Sequence, residues 1–240
     1  QLLYPITHLT KTFVQQDEGI KEFGLANISH LIVNPLEGSL HSGKLIQALT
    51  QLVISKGVQI LYATELKEFE ESPKGVTIYT NQNIKLRTTK LVFCTNAFAK
   101  QILPDIDITP ARGQVLLTEP IEGLKLNGVF HYDEGFYYFR NLGNRILLGG
   151  ARNTSFETEY TFDDVTSVSI QQELENFLEK VVLPGQTPAI THRWAGIMGM
   201  GGDKFPIVKQ LTDKTHCTVR LSGMGVALAP MIGRMMAEQL

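Results

Sequence analysis

What this 240-residue chain has little of narrows its chemistry before any motif is read. It holds two cysteines, Cys94 and Cys217, in apolar strand-like runs without metal-type spacing. That argues against a disulfide frame and for buried thiols in a reducing compartment, the cytoplasm. No apolar run approaches the ~20 residues that cross a bilayer, so no membrane span is expected. Neither sign of charge prevails: 22 basic and 24 acidic residues leave a net charge of -2, mixed along the chain, which removes the electrostatic footprint of a nucleic-acid partner. The histidines, His8, His30, His41, His131, His192 and His216, share no ligand spacing, so no metal site is expected and each is read as a surface or hydrogen-bonded residue. No Ser-His-Asp triad, paired carboxylates, internal repeat or low-complexity tract stands out. No G-x-G-x-x-G lies between a strand and a helix, since Gly199-Met200-Gly201-Gly202 precedes no helix. Nor does Gln1 follow an initiator Met or a signal-like segment.

What is present is ordinary globular chemistry, 43% hydrophobic and 19% charged, in a length that suits one or two domains. Residues 1–36 are irregular and read as loops and short pieces. From Gly43, Leu45, Ile46, Leu49, Leu52 and Val53 recur at helical spacing, and Gly57 ends that helix. VQILYATELKEFEES, GVTIYTN and KLVFCTNAF are strand-like, with a hairpin turn at Pro73-Lys74-Gly75 and KLVFCT as a fully buried strand. RGQVLLTEP, FHYDEGFYYFRN and RILLGGARN predict an antiparallel meander, turning at Asn141–Asn144. A long helix, capped near Asp163 or Asp164, is expected to bury Val168, Ile170, Leu174, Phe177, Leu178 and Val181 before Pro184-Gly185 stops it. FPIVKQ and CTVRLSG then lead into a last helix whose apolar face carries Ile232, Met235, Met236 and Leu240. The fold class is α+β, or mixed α/β.

The stretch VRLSGMGVALAPMIGRMMAEQL joins a buried strand to that last helix through glycines. Bare amides there approach a ligand without an intervening Cβ, and a helix start favours an electron-rich group. Pro230 is read as lying in the first turn of the helix, where a proline's missing N–H would be orphaned anyway. A tight connection with glycines for geometry alone fits the same residues equally well.

Taken with LVFCTNAFA, ITPARGQVLLTEP, GFYYFRNLGNRILLGG and HRWAGIMGMGGDKFPIV, in that order, the closing stretch resembles the FAD-dependent amine and amino-acid oxidase family that includes glycine oxidase, sarcosine oxidase and D-amino-acid oxidase. The likeness runs from about Glu37 onward. It implies an antiparallel-sheet substrate domain with flanking helices plus the C-terminal part of a Rossmann-like FAD-binding domain. The boundaries implied are 1–36 on the substrate-domain side, 37–109 in the FAD-binding domain, 110–210 in the substrate domain and 211–240 as the closing strand and helix. It also implies that Gly223, Met224, Gly225, Val226 and Ala227 lie against the flavin ring, with the helix's positive end at the pyrimidine side. Thr95 and Asn96 would replace a small pair beside the dinucleotide, and Asn tolerates the left-handed backbone such a turn needs. Leu66 would brush the adenine half. Arg112 would stand at the crossing between domains, where a structural Arg and a cofactor contact are equally good readings.

On the substrate side, alternation sets Phe136, Tyr138 and Arg140 on one strand face and Tyr137 and Phe139 on the other, with Tyr138 the preferred pocket residue. Met198 stands near where the family's carboxylate-binding Arg is expected, and a thioether makes no ion pair, which favours an amine over a simple α-amino acid. Alternation sends Arg193 to a different face from Trp194. The implied reaction is oxidation of a C–N bond of a small amine or amino acid, with hydride passing to a non-covalent FAD and oxygen or another acceptor reoxidising it. The family's pyrophosphate turn would lie upstream of Gln1. The resemblance thus predicts a fragment that binds FAD weakly or not at all when isolated. The competing readings are a non-enzymatic α+β binding module and an isolated domain fragment inactive by itself.

Overall fold

The computed structural model describes residues 4–8 and 11–240. Leu9 and Thr10, within the irregular opening, lie outside the described residues. The strands in chain order are β1 (Val14–Gln15), β2 (Ile32–Val33), β3 (Leu66–Ser72), β4 (Gly75–Thr80), β5 (Lys85–Thr88), β6 (Leu91–Phe93), β7 (Thr109–Thr118), β8 (Val129–Tyr132), β9 (Tyr137–Leu142), β10 (Arg145–Gly150), β11 (Ile190–Met200), β12 (Ile207–Gln210) and β13 (Thr215–Val219). The helices are α1 (Tyr4–Thr7), α2 (Glu18–Glu22), α3 (Ser42–Ser55), α4 (Ala99–Ile102), α5 (Phe156–Glu159), α6 (Val168–Phe177) and α7 (Gly225–Gln239). They divide between two compact units: Gln1–Leu40, Arg112–Glu159 and Asp163–Gly196 form one, and His41–Ala111, Tyr160–Phe162 and Ile197–Leu240 the other.

The first unit is built on a five-stranded sheet in the order β11-β7-β10-β9-β8. β9 and β10 pair antiparallel with Leu142 opposite Arg145, so Gly143-Asn144 is a two-residue turn, and Gly143 adopts a φ of 61°. Alternation along these strands buries Tyr137, Phe139, Ile146 and Leu148 on one face. Against that face α6 lays Ile170, Leu174 and Phe177, one residue per turn, and a π-helical turn at Leu178–Val182 adds Leu178, Val181 and Val182. Tyr137 stacks on Phe177 with ring centroids 4.4 Å apart.

The second unit holds two three-stranded sheets. The β3-β4-β5 meander is antiparallel, while β12-β13-β6 combines an antiparallel pair with the parallel pair β13–β6. Phe93, Ala99, Ile108, Cys217 and Val219 form its core, with Leu66 and Phe69 packed against it. Helix α3 matches the periodic stretch, and His41 caps it by accepting the Lys44 amide at 3.3 Å through Nδ1. None of its residues is buried.

Several sequence expectations are corrected. The strand expected to start at Val58 begins at Leu66, where Thr80 first supplies a partner, and Val58, Leu61 and Tyr62 are exposed. FHYDEGFYYFRN divides into β8 and β9 because Asp133 and Glu134 take left-handed φ values of 51° and 54°. KLVFCT is not a fully buried strand: β6 stops at Phe93, Val92 is half-buried, and Cys94 is exposed. The α6 cap is Ser167, in extended backbone, not an aspartate. Val168 is 87% exposed, since it stands two positions from Ile170 on the helix and faces the opposite way. Pro230 lies inside α7 rather than in its first turn, because that helix already begins at Gly225. On the same helix Ile232 and Met236 are buried, but Met235 and Leu240 are exposed. His216 is 1% exposed, and its Nδ1 has no hydrogen-bond partner among the described residues, unlike the surface or bonded histidine expected.

Candidate functional site

The segment that leaves β13 and enters α7 carries an unusual backbone. Arg220, Ser222 and Gly223 have φ values of 62°, 47° and 81°, so left-handed residues cluster directly before the helix. At Arg220 and Ser222 this conformation costs energy that surrounding contacts must offset. Those contacts are present. The Arg220 guanidinium, 6% exposed, donates to the Phe205 carbonyl at 3.0 Å and to Asp203 at 2.8 Å, and it also pairs with Asp107. Gly201 makes room for it, since a Cβ there would sit 2.4 Å from Arg220 Cδ. The Ser222 amide donates to the Gly199 carbonyl at 3.1 Å.

The Met224 amide is taken by the Leu221 carbonyl at 2.8 Å, and the amides of Ala227 and Leu228 turn back onto the Met224 carbonyl at 3.1 and 3.0 Å. Among the described residues, no acceptor takes the amides of Gly223, Gly225 or Val226. The Ser222 hydroxyl is also buried without a partner. The start of α7 thus leaves three backbone N–H donors without an acceptor among the described residues. A Cβ at Gly223 would meet only Met198 Sδ, at 3.8 Å, so Met198 and the closing loop are neighbours. Donors of this kind fit the electron-accumulating edge of a flavin ring, and glycine's bare backbone permits the close approach. Beyond Met224, an apolar groove of ≈ 550 Å³ runs along α7, lined among others by Phe205, Leu228, Met231, Ile232 and Met235.

Asn96 has the left-handed φ of 48° expected of its turn, and its side-chain oxygen accepts the Arg220 amide at 3.0 Å and the Leu221 amide at 3.3 Å. Thr95 is exposed just before it. Leu66 packs on the second unit's core through β3. Val226 and Ala227 are exposed in the first turn of α7.

Arg112, Tyr138 and Arg140 belong to the first unit. Arg112 is 9% exposed and grips Glu159 with two bonds, Nε to Oε2 at 2.9 Å and Nη2 to Oε1 at 2.6 Å. Its other donors reach the carbonyls of Val165, Thr158 and Asp163 at 2.9, 3.3 and 3.5 Å, so none of its N–H groups is left for a ligand. Burial pushes the Glu159 carboxyl up, but the Arg112 and Gln114 hydrogen bonds outweigh it and the net direction is down. The hydrogen bonds from Arg112 to Glu159 hold the guanidinium above its ordinary range. Gln114 also accepts the Ser167 amide at 2.9 Å, tying the start of α6 to β7. No local pattern marks this network, because Glu159 and Gln114 are ordinary polar residues until the fold buries them.

Tyr138 and Arg140 share the sheet face opposite Tyr137 and Phe139, as alternation requires. Burial pushes the Tyr138 phenol up, so it stays protonated at neutral pH. Arg140 donates to the Leu40 carbonyl at 2.7 Å and to the Asn141 carbonyl at 3.2 Å. Arg193 pairs with Glu175 at 2.6 Å and donates to Gln171 at 2.7 Å. Among the described residues no group of three or more His, Cys, Asp or Glu side chains is arranged to hold a metal, and no helix is long and apolar enough to cross a membrane.

Comparison with known proteins places this geometry in a context. The family described as FAD dependent oxidoreductase (DAO) matches residues 8–239. A protein from Haemophilus influenzae named probable oxidoreductase OrdL is 24% identical over 224 residues, covering 85% of this chain and 47% of its own length. The chain therefore spans about half of that curated relative. Among solved structures that share the fold, L-proline dehydrogenase from P. horikoshii, with a TM-score of 0.81 and 22% identity, covers 94% of this chain and 63% of its own. Glycine oxidase from Geobacillus kaustophilus, also with a TM-score of 0.81 and 17% identical, covers 99% of this chain and 64% of its own.

Proposed function

The chain belongs to the DAO family of FAD dependent oxidoreductases, and from that membership we propose that it carries the ring-facing and substrate-facing parts of an enzyme oxidising a C–N bond in a small amine or amino acid. The observation that carries the cofactor half of this reading is the set of open amides at Gly223, Gly225 and Val226 at the start of α7. These donors would hold the electron-rich edge of a non-covalently bound FAD. When bound, FAD supplies the two-electron acceptor for C–N oxidation. The chain's own residues then bind and orient. The start of α7 presents its positive end where negative charge gathers. Gly223 keeps the backbone bare, and Met198 supplies a soft, neutral wall beside it.

On the substrate side we assign, in the first unit, Tyr138, a protonated hydrogen-bond donor, and Arg140, and separately, in the second unit, Met198. A thioether cannot form the bidentate ion pair that binds a carboxylate, so an amine is the favoured substrate. The names of two solved relatives point instead to amino acids: one is a dehydrogenase of L-proline and another an oxidase of glycine.

The test takes the full-length protein loaded with FAD and follows loss of visible flavin absorbance on adding primary amines, secondary amines and amino acids. Bleaching by an amine supports the reading, and oxygen uptake then separates an oxidase from a dehydrogenase that uses another carrier. Bound flavin that no amine or amino acid bleaches refutes it. Colour remaining in an acid-precipitated pellet refutes non-covalent attachment.

A further inference from the structure

We propose that Asn96 is a positioning residue whose side-chain oxygen sets the loop before α7 so that the amides of Gly223, Gly225 and Val226 stay open; its consequence for the cofactor rests on the flavin reading above. One atom does the work. Asn96 Oδ1 accepts two successive loop amides, Arg220 at 3.0 Å and Leu221 at 3.3 Å, immediately upstream of the open donors. Among the described residues these two amides have no other acceptor. The Arg220 side chain is anchored separately on Phe205, Asp107 and Asp203, which holds the guanidinium but leaves the main-chain N–H of that residue to Asn96.

The geometry is over-determined around this atom. A Cβ at Gly199 would lie 2.7 Å from Asn96 Oδ1, so β11 can pass the carboxamide only as glycine. From that glycine the carbonyl receives the Ser222 amide at 3.1 Å. Asn96, Arg220, Ser222 and Gly223 are all left-handed, with φ values of 48°, 62°, 47° and 81°. Without the Asn96 oxygen, Arg220 and Leu221 would each carry an unsatisfied amide, and the left-handed turn would lose what offsets its strain. The loop could then relax toward ordinary turn bonding, in which the amides at 223–226 find internal acceptors.

Three substitutions separate the causes. Asn96→Gly keeps the left-handed freedom and removes the acceptor, Asn96→Asp keeps an acceptor oxygen, and Asn96→Ala removes the acceptor and adds backbone strain. The readouts are amide hydrogen exchange of the ¹⁵N-labelled full chain and amide shifts on titration with FMN, which carries the same ring. In the wild type FMN is expected to shift the Gly223, Gly225 and Val226 amides. Asn96→Gly is expected to speed exchange at Arg220 and Leu221 about tenfold and to abolish those FMN shifts, Asn96→Ala to do the same, and Asn96→Asp to retain exchange protection. Unchanged exchange in Asn96→Gly overturns the clamp. Faster exchange with FMN shifts intact overturns the positioning role, since a merely structural Asn would lower the melting temperature and spare the shifts. Loop amides that ignore FMN in the full-length wild type sink the flavin reading and the positioning role together, and the wild-type titration alone identifies that case.

Discussion

The ring of Tyr138 occupies the space that a side chain at Gly149 would need: a Cβ there would sit 2.6 Å from both Cε2 and Cζ of the ring. The two residues face each other across the β9–β10 ladder. Val115 closes the other side, with its Cγ1 2.4 Å from the same point. The missing side chain on β10 therefore sets where the candidate substrate-side phenol lies.

Gly149→Ala is expected to destabilise the chain by about 1–3 kcal/mol, the usual range for overpacking, and to displace the Tyr138 ring. Tyr138→Ala in the same chain should recover part of the loss. Urea unfolding of the single and double variants checks this, and strictly additive losses would show that the two positions are uncoupled.

Glu159→Ala strands a buried guanidinium and is expected to cost about 3–5 kcal/mol. The native Glu159 carboxyl lies below its ordinary value through its bonds to Arg112 and Gln114. Its contribution is thus fully present above the unfolded-state value and is lost as pH falls through the folded one. Stability measured across the acid range should fall in the wild type, and this part of the fall should be absent in Glu159→Gln.

Cys94 is exposed and Cys217 is buried. A thiol reagent should label one cysteine in the native chain and the second only in denaturant. Cys94→Ser should remove the native signal, as peptide mass mapping will report.

Pro230 sits within α7, five positions after Gly225, and cannot donate to the Val226 carbonyl. Pro230→Ala restores that donor and should raise stability by about 2 kcal/mol, seen as a higher unfolding midpoint.

Much of the fold was legible in the chain because it depends on local patterning. Helical spacing from Leu45 to Val53 marked α3, alternation in FYYFRN assigned the two faces of β9, and Gly143-Asn144 turned the hairpin. Misreadings arose where a tertiary partner decides. Val58–Tyr62 looks like a strand but pairs with no strand among the described residues, and the α6 cap shifted to Ser167 because Gln114 claims that residue's amide and hydroxyl. The glycine loop was visible as a motif. Its mechanism was not, since which amides remain open depends on Asn96 and Gly199, both distant in sequence. The Arg112–Glu159 pair was beyond reach for the same reason: 47 residues separate its partners.

In this chain, which spans about half of a curated relative, helix α3 leaves Ile46, Leu49, Leu52 and Ile54 exposed. Such a stripe makes the chain's colloidal behaviour depend on solvent composition. Lyotropic salts such as sulfate will drive copies together through it and retain the chain on a phenyl column, whereas mild detergent will disperse it.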